Sequence, residues 1–177
     1  MQSKILLAAL AATAAFASPA AAQVVTDTEQ AQARGTVLLP LSVTNDAPLD
    51  FGTVLTSPVA GWVSVNADDG TRTADGTGVT LIALNPGGRG EFTVTATAGQ
   101  VVDLTVTPPV GNVLNGPGGA QITVSSLDLD TVGGLTDTRT MGAGGTLTVG
   151  VGGTFDIAAN QANGVYTADF WLTAEYN

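Results

Sequence analysis

The chain contains no histidine and no cysteine. These two absences remove whole classes of chemistry. Zinc sites of the usual kind need thiolates or imidazoles. A catalytic triad needs an imidazole base. No disulfide can form, so packing alone must hold the fold. Only 5 Lys+Arg stand against 15 Asp+Glu, a formal charge of −10. Such a surface repels polyanions and argues against nucleic-acid binding. Aromatics are 5% of residues, which leaves little to build a sugar cleft from. Charged residues are scarce too, at 11%, yet hydrophobic residues reach 44%, too many for a disordered acidic chain. At 177 residues there is room for one domain with a real core.

What is present begins with a targeting pattern. Lys4 supplies a positive start, residues 5–17 are apolar, Pro19 breaks the run, and Ala20, Ala21 and Ala22 offer small side chains before Gln23. That is the layout of a secretory signal with an A-x-A cleavage site. A retained membrane anchor fits less well, because the apolar run is short for a span. Residues 1–22 are therefore expected to be removed. Cleavage takes away the single lysine and leaves 155 residues with four Arg against fifteen acids. No later segment is apolar for long enough to cross a bilayer as a helix. The expectation is export out of the cytoplasm.

After the signal, helical periodicity disappears and period two takes over. Ala31, Ala33, Gly35, Val37, Leu39, Leu41 and Val43 share one parity. Residues 49–54 read as a short strand, Val63 and Val65 as another, and Val79, Leu81 and Ala83 as a third. Phe92, Val94 and Ala96, a turn at 98–100, then Val102, Leu104 and Val106 read as a hairpin. Ile122 and Val124 change parity to Leu127 and Leu129 across Ser125 and Ser126, which predicts a bulge. Leu147, Val149 and Val151 alternate, and Phe155 and Ile157 follow. Residues 166–176 form the longest clean alternation, with Tyr166, Ala168, Phe170, Leu172, Ala174 and Tyr176 on one face. Short strands at regular spacing with glycine-rich turns predict an all-β antiparallel sandwich. Its expected core includes Phe51, Phe92, Val94, Leu104, Val106, Phe170 and Leu172. The domain is read as 35–177, with 23–34 as an N-terminal extension.

Candidate chemistry is sparse. Asp128 and Asp130 would share a strand face about 7 Å apart, a spacing compatible with a glycosidase carboxylate pair. A solvated face is favoured, since Leu127 and Leu129 take the other side and no aromatic pocket accompanies the acids. Asp68, Asp69 and Asp75 crowd two turns. Oxygen clusters can bind calcium, but the spacing matches no calcium loop and aspartate is a good turn residue. The glycine stretches at 142–145 and 150–153 lack the Gly-Lys-Ser/Thr of a phosphate cradle. Trp171 falls on the polar face of the last strand, either as a binding contact or beneath a loop. The reading contains no catalytic residue, metal site or cofactor.

A resemblance appears in the motifs. Pro40 to Thr44, Leu49-Asp50-Phe51-Gly52-Thr53-Val54, the stretches at 90–96 and 102–108, and Gly164-Val165-Tyr166-Thr167 through Glu175-Tyr176-Asn177 resemble a family of small exported bacterial β proteins, domain of unknown function 4402. The same ends are similar to the spore-coat-U-like secreted pilins of chaperone–usher systems, with Leu-x-Phe-Gly early and Gly-x-Tyr in the closing strand. The chain departs from many such pilins in having no cysteine pair. The resemblance implies an immunoglobulin-like sandwich at the cell surface, with copies of itself or related subunits as partners and a periplasmic chaperone and outer-membrane usher to assemble them. It carries over no catalytic residue.

Two functions remain open. One is a non-enzymatic structural or adhesive surface subunit that assembles by β-strand addition. Its acceptor would be the last strand, through Tyr166, Phe170, Leu172 and Tyr176. Its donor would lie in 23–33, with Val25, Ala31 and Ala33 among the few apolar groups available. The other is a monomeric exported binding module with a complete sandwich. An enzyme ranks third. Intact-mass measurement of exported protein checks the leader: the expected species begins at Gln23, and one retaining Met1 would contradict it.

Overall fold

Residues 26–177 are described here from a computed structural model of the chain. The expected signal at 1–22 and Val25 lie outside the described residues. Residues 26–41 belong to no helix or strand, and 26–40 are exposed. The alternation from Ala31 to Val43 therefore does not make one strand. Period two says which side chains would share a face, but a ladder also needs a neighbour to take the backbone bonds. That neighbour is reached only at Ser42.

Among the described residues twelve strands follow: β1 (Ser42–Ala47), β2 (Val54–Thr56), β3 (Gly61–Val65), β4 (Arg72–Ala74), β5 (Val79–Leu81), β6 (Gly90–Thr95), β7 (Val101–Thr107), β8 (Val113–Asn115), β9 (Gln121–Leu129), β10 (Thr136–Thr140), β11 (Thr146–Ile157) and β12 (Trp171–Tyr176). All pairings between them are antiparallel. The larger sheet runs β1-β6-β11-β3-β4, with β9 also on β11 and β8 on β9. The facing sheet is β10-β7-β12, and β2-β5 forms a separate ribbon. The fold is an all-β antiparallel sandwich.

β11 organises the larger sheet. Val151 pairs with both Gly90 of β6 and Leu129 of β9. Residues 153–156 pair with both β3 and β9. So β6 and β3 lie end to end along one edge of β11, and β9 lies along the other. The predicted bulge is present: the register shifts opposite Thr154 and Phe155, leaving Ser125 of β9 as the extra residue. The two apolar runs around 152–153 are one strand, because Gly153 keeps their parity.

The expected hairpin at 92–106 is an arch instead. β6 lies in the larger sheet and β7 in the smaller one. Their apolar faces meet across the core, where Val94, Ala96, Val102 and Leu104 are fully buried. Alternation sets a face but cannot say whether two strands share a sheet or oppose each other. The turn decides: Gly99 N–H donates to Met141 O (3.0 Å) and Met141 N–H to Gln100 O (2.8 Å). Those bonds tie the corner to the end of β10 rather than closing a hairpin.

Two further expectations are corrected. Residues 49–54 make no continuous strand; Asp50 bridges Gly88 alone and β2 starts at Val54. The last strand is shorter than its alternation: ladder pairing begins at Trp171, and upstream of it only Thr167 makes an isolated bridge, to Asn115. Of the seven expected core residues, Phe92, Val94, Leu104 and Val106 are buried, while Phe51, Phe170 and Leu172 are half-buried against the core. Urea unfolding measures the difference. Leu104→Ala should cost about 2–5 kcal/mol, the range for emptying a closed core site. Phe170→Ala should fall below the roughly 3–5 kcal/mol of a fully buried phenylalanine.

Candidate functional site

The half-buried residues point to the site. β12 pairs with β7 on one side only, and β1 pairs with β6 on one side only. These two edges, one from each sheet, approach one another. Along the β1 edge and the chain on either side of it, Leu41, Val43, Leu49 and Phe51 are only partly buried. Along the β12 edge and the chain leading into it, so are Tyr166, Ala168, Phe170, Leu172, Ala174 and Tyr176. Within β6 and β7, by contrast, the inward apolar residues Phe92, Val94, Val102, Leu104 and Val106 are buried. A side chain at an edge is covered from one flank, so the seam between β1 and β12 is where the sandwich leaves its interior incompletely covered.

The four sequence-predicted acceptor residues all face this seam. The ring of Phe170 meets Phe92 edge-on, with centroids 5.9 Å apart. Gly90 lies beneath: a Cβ there would sit 3.3 Å from Leu49 Cβ and 3.4 Å from Phe170 Cζ. Glycine thus lets the two flanks approach. Tyr166 precedes β12, and its hydroxyl donates to Ala162 O (2.6 Å) and accepts from Gln161 Nε2 (2.8 Å). At the far end, the Tyr176 hydroxyl accepts from Thr97 N–H (2.8 Å) and donates to Leu39 O (2.8 Å). Asn177 fastens the C-terminal end of β12 through its side-chain amide, which donates to both carboxylate oxygens of Asp103 (3.1 and 3.0 Å). The donor expectation fares differently: Ala31 and Ala33 are exposed and in no strand.

At the start of β12 the seam opens into a cavity of about 420 Å³. Leu114, Val124, Leu127 and Phe155 of the core contribute to its lining, with Leu49 and Phe170 from the two flanks. Phe51 packs on Phe155 at 5.0 Å between centroids. In the sequence, Leu49 and Phe51 read as residues of a local strand. Their place opposite β12 has no sequence signal, because it follows from which strands become edges.

The carboxylates serve the fold. Asp128 accepts from Ser126 Oγ (3.0 Å) and Gly134 N–H (3.0 Å), while Asp130 pairs with Arg139 at 2.5 Å. Arg139 also pairs with Asp137. Burial opposes the Arg139 charge, but the two carboxylates outweigh it and raise its pKa. Asp128 and Asp130 are thus engaged by separate partners. Asp68 accepts from Thr131 N–H (2.7 Å), Asp69 from Thr71 N–H (2.8 Å), and Asp75 from Gly78 and Val79 N–H (3.0 Å each). These are turn and loop-tying bonds, and no group of three possible metal ligands occurs among the described residues. Trp171 stands half-exposed on the outer face of β12.

Three carboxylates predict an acid response. The Thr71 N–H holds the Asp69 carboxyl below its ordinary 3.8, the Gly78 N–H does so for Asp75, and the Thr138 hydroxyl, followed by the Asn177 amide, does so for Asp103. A folded value below the unfolded one stabilises the protein above the unfolded value. That stability is lost as the pH falls through the folded value. Urea midpoints should therefore be flat above about pH 5 and fall below about pH 4. Asp103→Asn should remove part of that slope.

The comparisons with known proteins come to one finding. A search of curated proteins and a search of solved structures return no match. The family described as Domain of unknown function (DUF4402) matches residues 41–176. That span runs from the residue before β1 to the last residue of β12, and so takes in both flanks of the seam. The chain belongs to the DUF4402 family.

Proposed function

We propose that this protein is an exported, non-enzymatic structural or adhesive subunit of the cell surface, similar to a pilin, that assembles by β-strand addition at the free edge of β12. The reading carries with it an immunoglobulin-like arrangement of the sandwich, copies of itself or related subunits as partners, and a periplasmic chaperone and outer-membrane usher as the assembly route. One observation supports it above the rest. β12 combines an unpaired backbone edge with a row of half-buried apolar side chains that continues upstream of it to Tyr166.

An added strand satisfies both at once. Its backbone meets the free N–H and C=O groups of β12, and its alternate side chains cover the seam. Covering apolar surface contributes roughly 25 cal/mol per Å², so the gain scales with the size of the donor's side chains. The runner-up, a monomeric binding module, draws support from the direct approach of β1 to β12, which partly closes the seam without a partner.

Assembly predicts that the folded state is stabilised by mass action. The unfolding midpoint of the mature chain should rise with each tenfold increase in subunit concentration, and negative-stain images should show linear fibres. A midpoint independent of concentration, with a monomeric mass throughout, would favour the binding module.

A further inference from the structure

We infer that the protein carries a second recognition site, at the free edge of β2, and that it takes a short extended segment of a basic partner protein. The site is separate from the edge of β12 and does not depend on the strand-addition reading.

β2 pairs with β5 on one side only. The Ile82 N–H donates to Thr53 O (3.1 Å), and these two residues stand opposite each other in the register that pairs Val54 with Leu81. Bonded and non-bonded pairs alternate along an antiparallel ladder. Leu55 therefore bonds to Thr80, while Val54 and Thr56 turn their N–H and C=O groups away from β5. No other backbone group takes them among the described residues.

Against that side of β2 lies a cleft of about 530 Å³. Residues 53–56 form one wall and 161–165 the other, with the buried Ile122 and Ile157 at the bottom, and no residue of β5 takes part. The second wall belongs to the connection 158–170, which contains no helix or ladder strand. An ordered connection of that length without structure of its own is uncommon and usually functional. This one is held in place: Gln161 Nε2 donates to Gln121 O (3.0 Å), and Thr167 bridges Asn115. Past Thr56 the cleft closes, where Asn160 N–H donates to Ser57 O (2.9 Å).

The free groups select the occupant. Val54 and Thr56 are two residues apart, roughly 7 Å at strand rise, and each offers one donor and one acceptor. That is the repeat of an extended backbone, the mode by which a peptide adds to a sheet edge. Charge enters at the open end. There the cleft meets the cavity beside Phe170; Asp50 and Asp169 line the two, and no Lys or Arg does. Asp50 accepts from Gly52 N–H (2.7 Å) and Asn85 Nδ2 (3.3 Å), which orient its carboxylate without neutralising it. The chain has little cation to offer. Arg72, Arg89 and Arg139 are committed to carbonyls and carboxylates of the fold, and Arg34 sits in an extension that also carries Asp27 and Glu29. The cation therefore comes with another protein, and complementary charge selects it.

The experiment measures binding of three fluorescent peptides to the mature chain by anisotropy. The first alternates valine and threonine between flanking lysines, the second replaces the lysines by glutamates, and the third is residues 26–41 of this chain. The lysine peptide should bind more tightly than the other two, and Asp50→Asn should narrow its advantage over the glutamate peptide. Thr56→Pro should weaken the lysine peptide about tenfold, the loss of one backbone bond. Its N–H faces away from β5, so the ribbon keeps its ladder and the urea midpoint should hold. Ala174→Pro should leave binding unchanged; by the same alternation its N–H faces the free edge of β12. Should Thr56→Pro fail to fold, a lysine peptide ending in cysteine should still cross-link under oxidation to Leu55→Cys, on the wall of this cleft and not of the neighbouring cavity; no native cysteine competes. Absence of binding, or of that cross-link, would overturn the site. Binding kept in Thr56→Pro and lost in Ala174→Pro would overturn it too and leave the β12 edge as the acceptor. Tightest binding by the glutamate peptide or by 26–41 would overturn the basic partner.

Discussion

The architecture depends on a close backbone crossing at β11. This strand of twelve residues serves β6 along its first half and β3 along its second, with β9 opposite. Where one neighbour gives way to the other, the chain leaving β3 passes directly over it. A Cβ on Gly150 would overlap Ala67 O, and one on Gly152 would overlap Val65 O. Any larger residue would push the two backbones apart and open the core between β3, β6 and β9. The glycines that look like a break in the apolar pattern are what lets one strand hold the larger sheet together.

Around that strand, a chain with no disulfide is stabilised by an apolar interior and by polar bonds spent at its margins. No polar or charged residue is buried among the described residues. The scarce cations are used at chain crossings: Arg72 donates to Phe51 O (2.8 Å) and Ile82 O (3.0 Å), Arg89 to Ala67 O (3.0 Å), and Arg139 to Asp130 O (2.7 Å). The excess acids accept turn N–H groups. At Asp69 and Asp75 those partners favour the ionised form.

The seam is where this economy stops. Interior strands are flanked on both sides, so their inward residues are fully enclosed. β1 and β12 are each flanked once, and every apolar residue they turn inward remains partly open. An edge of this kind is normally blunted by charge, proline or a bulge. Along β12 the inward side chains from Tyr166 to Tyr176 are uncharged and proline-free, which is why the seam, and no acidic cluster, carries the functional reading.

Much of the fold was legible in the alternation itself. Val63 with Val65, Phe92 with Val94, Leu104 with Val106 and the parity change at Ser125 each specified a buried face or a bulge, because a strand's side-chain period is a local property of its own backbone. That Tyr166, Phe170, Leu172 and Tyr176 turn one common face toward the core was legible for the same reason. What pairs with what was not. The turn at 98–100 reads as a hairpin and is an arch, 31–41 alternates but finds no neighbour, and Leu49 and Phe51 lie opposite Phe170 only because both sheets end there. Local periodicity chooses the face of each strand. Only the tertiary structure decides which strands become edges, because that depends on backbone bonds to residues far away in the chain.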